Sequence, residues 1–209
     1  GIAAQKIYDF AWSEYCDWYI EIVKPRLYGD DVEAKKAALY TLTYVLETIL
    51  KLLHPYMPFI TEEIYTYLPT VEGSIVIAQW PHYKEEDNMA SEEEMMELAM
   101  DGIRNIRNAR AEMDVPPSKK AKVIIVPAEG KKSAVEATKE YFVTLASASM
   151  VEIAETEENI PEDAVSVVIN GAKIFIPLDE LVDFEKEKER LTKEKAKLEG
   201  EIKRVNGKL

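Results

Sequence analysis

Between Ile103 and Lys122 the chain reads "IRNIRNARAEMDVPPSKKAK". Arg104, Arg107 and Arg110 recur at i, i+3 and i+6, and Ser118, Lys119, Lys120 and Lys122 follow directly. On a helix that spacing lines three guanidinium groups along one side, beside an apolar stripe. Residues 101–122 hold six basic side chains against three acidic ones, a local +3 inside a chain of formal net charge −13. Such a reversal is what contact with a phosphate backbone requires, because Lys and Arg bind it by displacing its condensed counterions. The same residues also suit a solvated face laced with helical ion pairs. A charge of −13 argues against nucleic-acid binding by bulk electrostatics, so any such role rests on this strip.

Other candidates read more plainly. Tyr15, Trp18 and Tyr19 recur at helical spacing and are expected to pack, with base stacking as the alternative. His54 is expected at a helix end, bonded to nearby carbonyls, with no Ser, Cys or carboxylate constellation beside it in sequence. "EGKKSA", residues 129–134, has half the form of a phosphate loop, but Ile125 occupies the place of the upstream glycine. Cys16, His54 and His82 are too few for a zinc site or a disulfide framework. No catalytic, cofactor-binding or metal-ligating residue is therefore expected.

The elements that must position the strip follow from periodicity. Ile7, Phe10, Ala11, Tyr15, Trp18, Tyr19 and Ile22 predict one amphipathic helix, ending near Lys24 before Pro25. Leu39, Leu42, Val45, Leu46, Ile49, Leu52 and Leu53 predict a second, ended at His54 because the residue before Pro55 is driven from the α region. In "HPYMPFITEEIYTYLP" Pro58 suits the first position of a third helix, Glu62 and Glu63 suit its N-terminus, and Pro69 closes it. Tyr56, Met57, Phe59 and Ile60 are available to fill this corner. "SIVIAQWPHY" reads as extended and "KEEDNMASEEE" as an acidic linker. A helix is then predicted from Ser91, with Glu94 completing a capping box and Met95, Leu98, Ala99, Ile103, Ile106 and Met113 on one stripe. "AKVIIVP", "SMVEIA" and "VSVVINGAKIFIPL" predict strands around the helix "KKSAVEATKEYFVTLA", with Asn170-Gly171 in a type I′ hairpin turn. Leu181, Phe184, Lys188, Leu191, Lys195, Leu198, Ile202, Val205 and Leu209 alternate by three and four, a heptad seam with lysine at two positions. The fold class is thus mainly α with a small α/β unit: a helical bundle, a mixed domain and a C-terminal coiled-coil helix.

Taken together, "FAWSEYCDWYIEIVKPRLY", "HPYMPFITEEIY", "SIVIAQWP", "IRNIRNARAEMDVPPSKK" and the charged helix "LVDFEKEKERLTKEKAKLEGEIKRV" resemble, in order and over essentially the whole chain, the C-terminal part of class I valyl-tRNA synthetases. "HPYMPFITEE" alone also suits the isoleucyl and leucyl relatives; the "DVPPSKK" stretch and the terminal coil favour the valyl family. The resemblance implies a helical anticodon-binding bundle over residues 1–88, an α/β junction domain over 89–178 and a truncated coiled-coil tRNA arm over 179–209. It implies tRNA-Val as partner, together with catalytic and editing domains of the same polypeptide. It also implies, for the full-length enzyme, ATP and Mg; a cytoplasmic location is the default expectation for a sequence with no apolar run of about 18 residues and no basic-then-hydrophobic N-terminal segment. HIGH-type and KMSKS-type signatures are absent, so this chain is expected to be inactive alone. Gly1 running straight into a helical pattern is expected to lie inside a longer protein, and Leu209 falls where the arm should turn. Self-association through that unpaired helix is one expectation. A non-catalytic coiled-coil interaction module and the isoleucyl relative are the rival readings.

Overall fold

The computed structural model describes residues 1–116 and 118–181, together with 192, 195, 198 and 199. The predicted heptad helix falls almost wholly outside the described residues. The chain divides into two compact units, Gly1–Asn88 and Met89–Leu209. The first is helical and the second adds a four-stranded mixed sheet, so the chain is mainly α with a small α/β part. Among the described residues no helix is long and apolar enough to cross a membrane.

The helical unit opens with α1 (Ile2–Asp9), a stretch of wide i→i+5 turns over Phe10–Tyr19, and α2 (Ile20–Tyr28). Ile7, Ala11, Tyr15, Tyr19 and Ile20 pack together with residues of α3 (Val32–Leu53). A spacing of four drifts by about 40° per step on a helix of 3.6 residues per turn. Wider turns absorb that drift and keep the line on one face. They also move the register, so that Val23 is buried where Ile22 was expected to be. Pro25 does not end the helix. It removes one donor, and α2 continues against α3 to Tyr28. The stop comes at Gly29, where a Cβ would lie 2.8 Å from the Pro25 carbonyl oxygen. Asp31 then caps α3, its carboxylate accepting from the Glu33 and Ala34 amides at 3.0 Å.

The corner departs from expectation in three ways. α3 does end at Leu53 with His54 as its cap, but His54 keeps right-handed helical dihedrals despite Pro55, and the chain leaves that region at Met57, before Pro58. Pro58 does open α4 (Pro58–Thr66), but the interior of the corner is Thr61 and Tyr65, whereas Phe59 is 89% exposed and Tyr56, Met57 and Ile60 are exposed too. Glu62 lies beyond the first turn, and its carboxylate accepts from the Ser74 hydroxyl at 3.0 Å and the Ile75 amide at 3.1 Å. Held there, Ile75–Ile77 winds into a 3-10 turn rather than an extended run, and Ile75 packs with Leu50 and Tyr65.

In the second unit α5 (Ala90–Glu112) begins without a side-chain cap: Ser91 donates to Glu92, and Glu94 pairs with Lys131 instead of closing a capping box. Strands β1 (Ala121–Pro127), β2 (Ala148–Ile153), β3 (Val165–Ile169) and β4 (Ala172–Ile176) form one sheet in the order β2-β1-β4-β3. β1 and β2 are parallel, joined by α6 (Lys132–Leu145); the β1–β4 and β3–β4 pairs are antiparallel. Val123, Ile125, Val151, Ile174 and Ile176 are buried on one face, and Ile124 and Phe175 of the two central strands are buried on the other. Gly102 lets α5 approach, since a Cβ there would sit 2.8 Å from the Phe142 ring of α6 and 3.1 Å from Ile174 of β4. The β3–β4 turn is not type I′. Gly171 has φ +97°, but Asn170 is not among the residues of positive φ.

Candidate nucleic-acid interface

The six basic candidates do not form one strip. Arg104 and Arg107 lie exposed on α5; Arg104 sits 3.7 Å from the Asp101 carboxylate, and Arg107 Nε donates to the Leu145 carbonyl at 2.8 Å, tying α5 to the end of α6. Lys122 lies on β1, on the face opposite Val123 and Ile125, and pairs with Glu152 of β2. Lys120 is exposed and Lys119 half-buried, and among the described residues no carboxylate pairs with either. Ion pairs do occupy much of the remaining positive charge nearby. Lys131 pairs with Glu94, Lys173 with Glu157, and Lys132 with Glu155 at 2.8 Å, a hydrogen bond that raises the ammonium and lowers the carboxyl from their ordinary values.

Arg110 overturns its expected place. It is only 6% exposed, and its guanidinium donates to the carbonyls of Pro116, at 3.3 Å, and Lys119. Burial pulls its pKa below the usual arginine value, as desolvation of a cation must. The residue continues the buried line of Ile103 and Ile106 at i, i+3, i+7, a signal present in the sequence beside the i, i+3, i+6 charge pattern. Its backbone takes part in a second device. The Val115 amide bonds the Arg110 carbonyl at 2.9 Å and the Asp114 amide bonds the Ala111 carbonyl at 3.1 Å, with Asp114 at φ +55°. This is a Schellman closure with aspartate in the position glycine usually fills.

In the helical unit Tyr15 is core: its hydroxyl donates to the Leu42 carbonyl at 2.9 Å and its ring stacks on Tyr19 at 6.3 Å. Burial, followed by the neighbouring Cys16 and Tyr19, pushes its phenol up to about 12. His54 bonds a side chain and not the helix-end carbonyls. Thr61 Oγ1 donates to the Met57 carbonyl at 2.8 Å, so His54 Nδ1, 2.8 Å away, carries the proton and donates to Thr61. Tyr40 and Tyr44, not singled out by the sequence, stack with centroids 6.1 Å apart and planes 8° apart on the exposed side of α3. Flat exposed rings are what single-stranded bases stack on. Among the described residues no group of three or more His, Cys, Asp or Glu is placed to hold a metal ion.

A family model described as the anticodon-binding domain of tRNA ligase matches residues 1–125. Over its full 209 residues the chain is 55% identical to the valine–tRNA ligase of Clostridium perfringens and 51% identical to that of Clostridium acetobutylicum, covering 24% of each. Against the valine–tRNA ligase of Bacillus subtilis the identity is 38% over 210 aligned positions, all of this chain and again 24% of the relative. The chain therefore spans about a quarter of the length of these curated relatives.

Proposed function

We propose, from the premise that the chain belongs to the anticodon-binding domain family of tRNA ligases, that it is the tRNA-recognition part of a valine–tRNA ligase. The observation that carries this reading is identity extending over all 209 residues, beyond the 125 that the domain model matches. The whole enzyme would attach valine to tRNA-Val using ATP and magnesium in the cytoplasm. This chain would hold the anticodon stem and elbow and do no chemistry. Its helical unit corresponds to a class I anticodon-binding bundle and residues 89–178 to a junction domain; the coiled-coil arm expected over residues 179–209 falls largely outside the described residues.

The phosphate contacts fall to Lys119, Lys120, Arg104 and Arg107, the members of the basic set that lie at least partly open to solvent away from the sheet. Tyr40 and Tyr44 supply a stacking surface of the kind that unpaired bases use. The test is binding of this chain to tRNA-Val and tRNA-Ile transcripts at two salt concentrations. Tighter binding of tRNA-Val, weakening as salt rises, is expected. Equal affinity for both transcripts, or valine-dependent ATP–pyrophosphate exchange by this chain, overturns the proposal.

A further inference from the structure

We infer that Arg110 is a positioning residue: through the carbonyls of Pro116 and Lys119 it fixes the backbone there so that Lys119 and Lys120 stand ready for phosphate. The inference rests on the tRNA-recognition reading and adds a residue that touches no nucleic acid. Two carbonyls six and nine residues downstream converge on one guanidinium nitrogen, Nη2. The loop is gripped from its other end by the Schellman closure at Asp114, and inside it the Lys119 amide bonds the Pro116 carbonyl at 3.0 Å. Val115 is buried. Residues 114–116 and 119 are each held by one of these bonds, so Lys119 and the lysine beside it lose less entropy when a phosphate arrives.

Charge points the same way. Among the described residues no carboxylate pairs with Arg110, whose described partners are neutral carbonyls. A guanidinium stays protonated through the physiological range. Its positive charge lies under the loop, where salt screens it less than it screens the surface lysines.

The experiment compares tRNA-Val transcript binding across a salt series for the 209-residue chain, the double variant Lys119→Ala with Lys120→Ala, Arg110→Gln, and the triple combination. The double variant is expected to flatten the log–log salt slope by about 2, near 0.9 for each phosphate that is no longer neutralised. Arg110→Gln is expected to weaken binding and to flatten the slope by a similar amount although no surface lysine has changed, because lysines on a loosened backbone no longer stay on both phosphates. The triple variant is expected to be no flatter than either parent, which is the mark of residues acting as one unit. If the lysine variant flattens the slope but Arg110→Gln lowers only the melting temperature, Arg110 is structural and the inference fails alone. Should the lysine variant keep the parental slope, the loop does not contact phosphate, and the tRNA-facing assignment of these lysines falls with the inference. Should Arg110→Gln not fold, Arg110→Lys carries the test. It keeps the charge but not the planar fork, so a flattened slope supports the inference and an intact one overturns it.

Discussion

Thr61 shows how much a single hydroxyl holds in the corner between α3 and α4. It is 1% exposed, accepts from His54 and donates to Met57, joining the end of one helix to the turn before the next. Thr61→Val keeps the shape, and the Met57 carbonyl keeps the residue-61 amide at 3.2 Å, but the imidazole N–H is left without its partner, which should cost about 1–3 kcal/mol in urea denaturation. Phe59→Ala, by contrast, should change stability by less than about 0.5 kcal/mol, because its ring already lies in water. A larger effect for Phe59 than for Thr61 would refute this placement of the corner. Tyr15 gives a pH signature. Its folded pKa of about 12 exceeds the ordinary value of 10.0, so the stabilisation is fully present below pH 10 and is lost as pH rises through 12. The Tyr15 contribution to stability should fall across that window. Melting curves of the parent and Tyr15→Phe, taken from pH 9 to pH 12, should converge as pH rises if this is correct.

Element ends, more than element cores, were where sequence and structure parted. Asp114 is the sharpest case: an aspartate at φ +55° ends α5, and left-handed backbone costs a non-glycine residue about 1–2 kcal/mol. Asp114→Gly should therefore raise the melting temperature of the second unit, and a fall would mean that the aspartate side chain itself holds the turn. The strands, α6 and the long helices were legible because their periods are set by burial, which one residue type rarely disturbs. Boundaries were not, because each was decided by a contact distant in sequence. Glu62 reaching Ser74 and Ile75 turned an apparent strand into a 3-10 turn, and Lys131 drew Glu94 away from a capping box. The wide turns of Phe10–Tyr19 were signalled by an unbroken spacing of four that the helical template treats as noise. The basic strip shows the same division. Local charge reversal was visible, but that Arg110 points inward and Lys122 sits on the far face of a strand depends on how α5 and β1 pack.

The two units differ in how well each is filled. Ile103, Ile106, Val123, Ile125, Val135, Phe142, Ile174 and Ile176 of the second are at most 1% exposed, whereas among the described residues of the first only Val23, Ala38 and Thr61 reach that level. Burial of apolar side chains is the main source of stability, so the helical unit should melt first. All three tryptophans, Trp12, Trp18 and Trp80, belong to it. Tryptophan fluorescence should therefore report a lower midpoint than the main calorimetric transition; coincident midpoints would show that the units unfold as one. Phe59, Tyr67, Val76, Ile77, Trp80 and Tyr83 leave that unit with apolar side chains facing water, while the chain as a whole carries −13. In colloidal terms these act against each other: charge keeps copies apart at a distance, and apolar facets hold them on contact. Added salt screens the first and strengthens the second, most strongly when the anion is sulfate. Dispersion of the chain and its grip on a phosphate backbone should thus share one low-salt window, and a rising ammonium sulfate gradient should release the RNA before it clouds the protein.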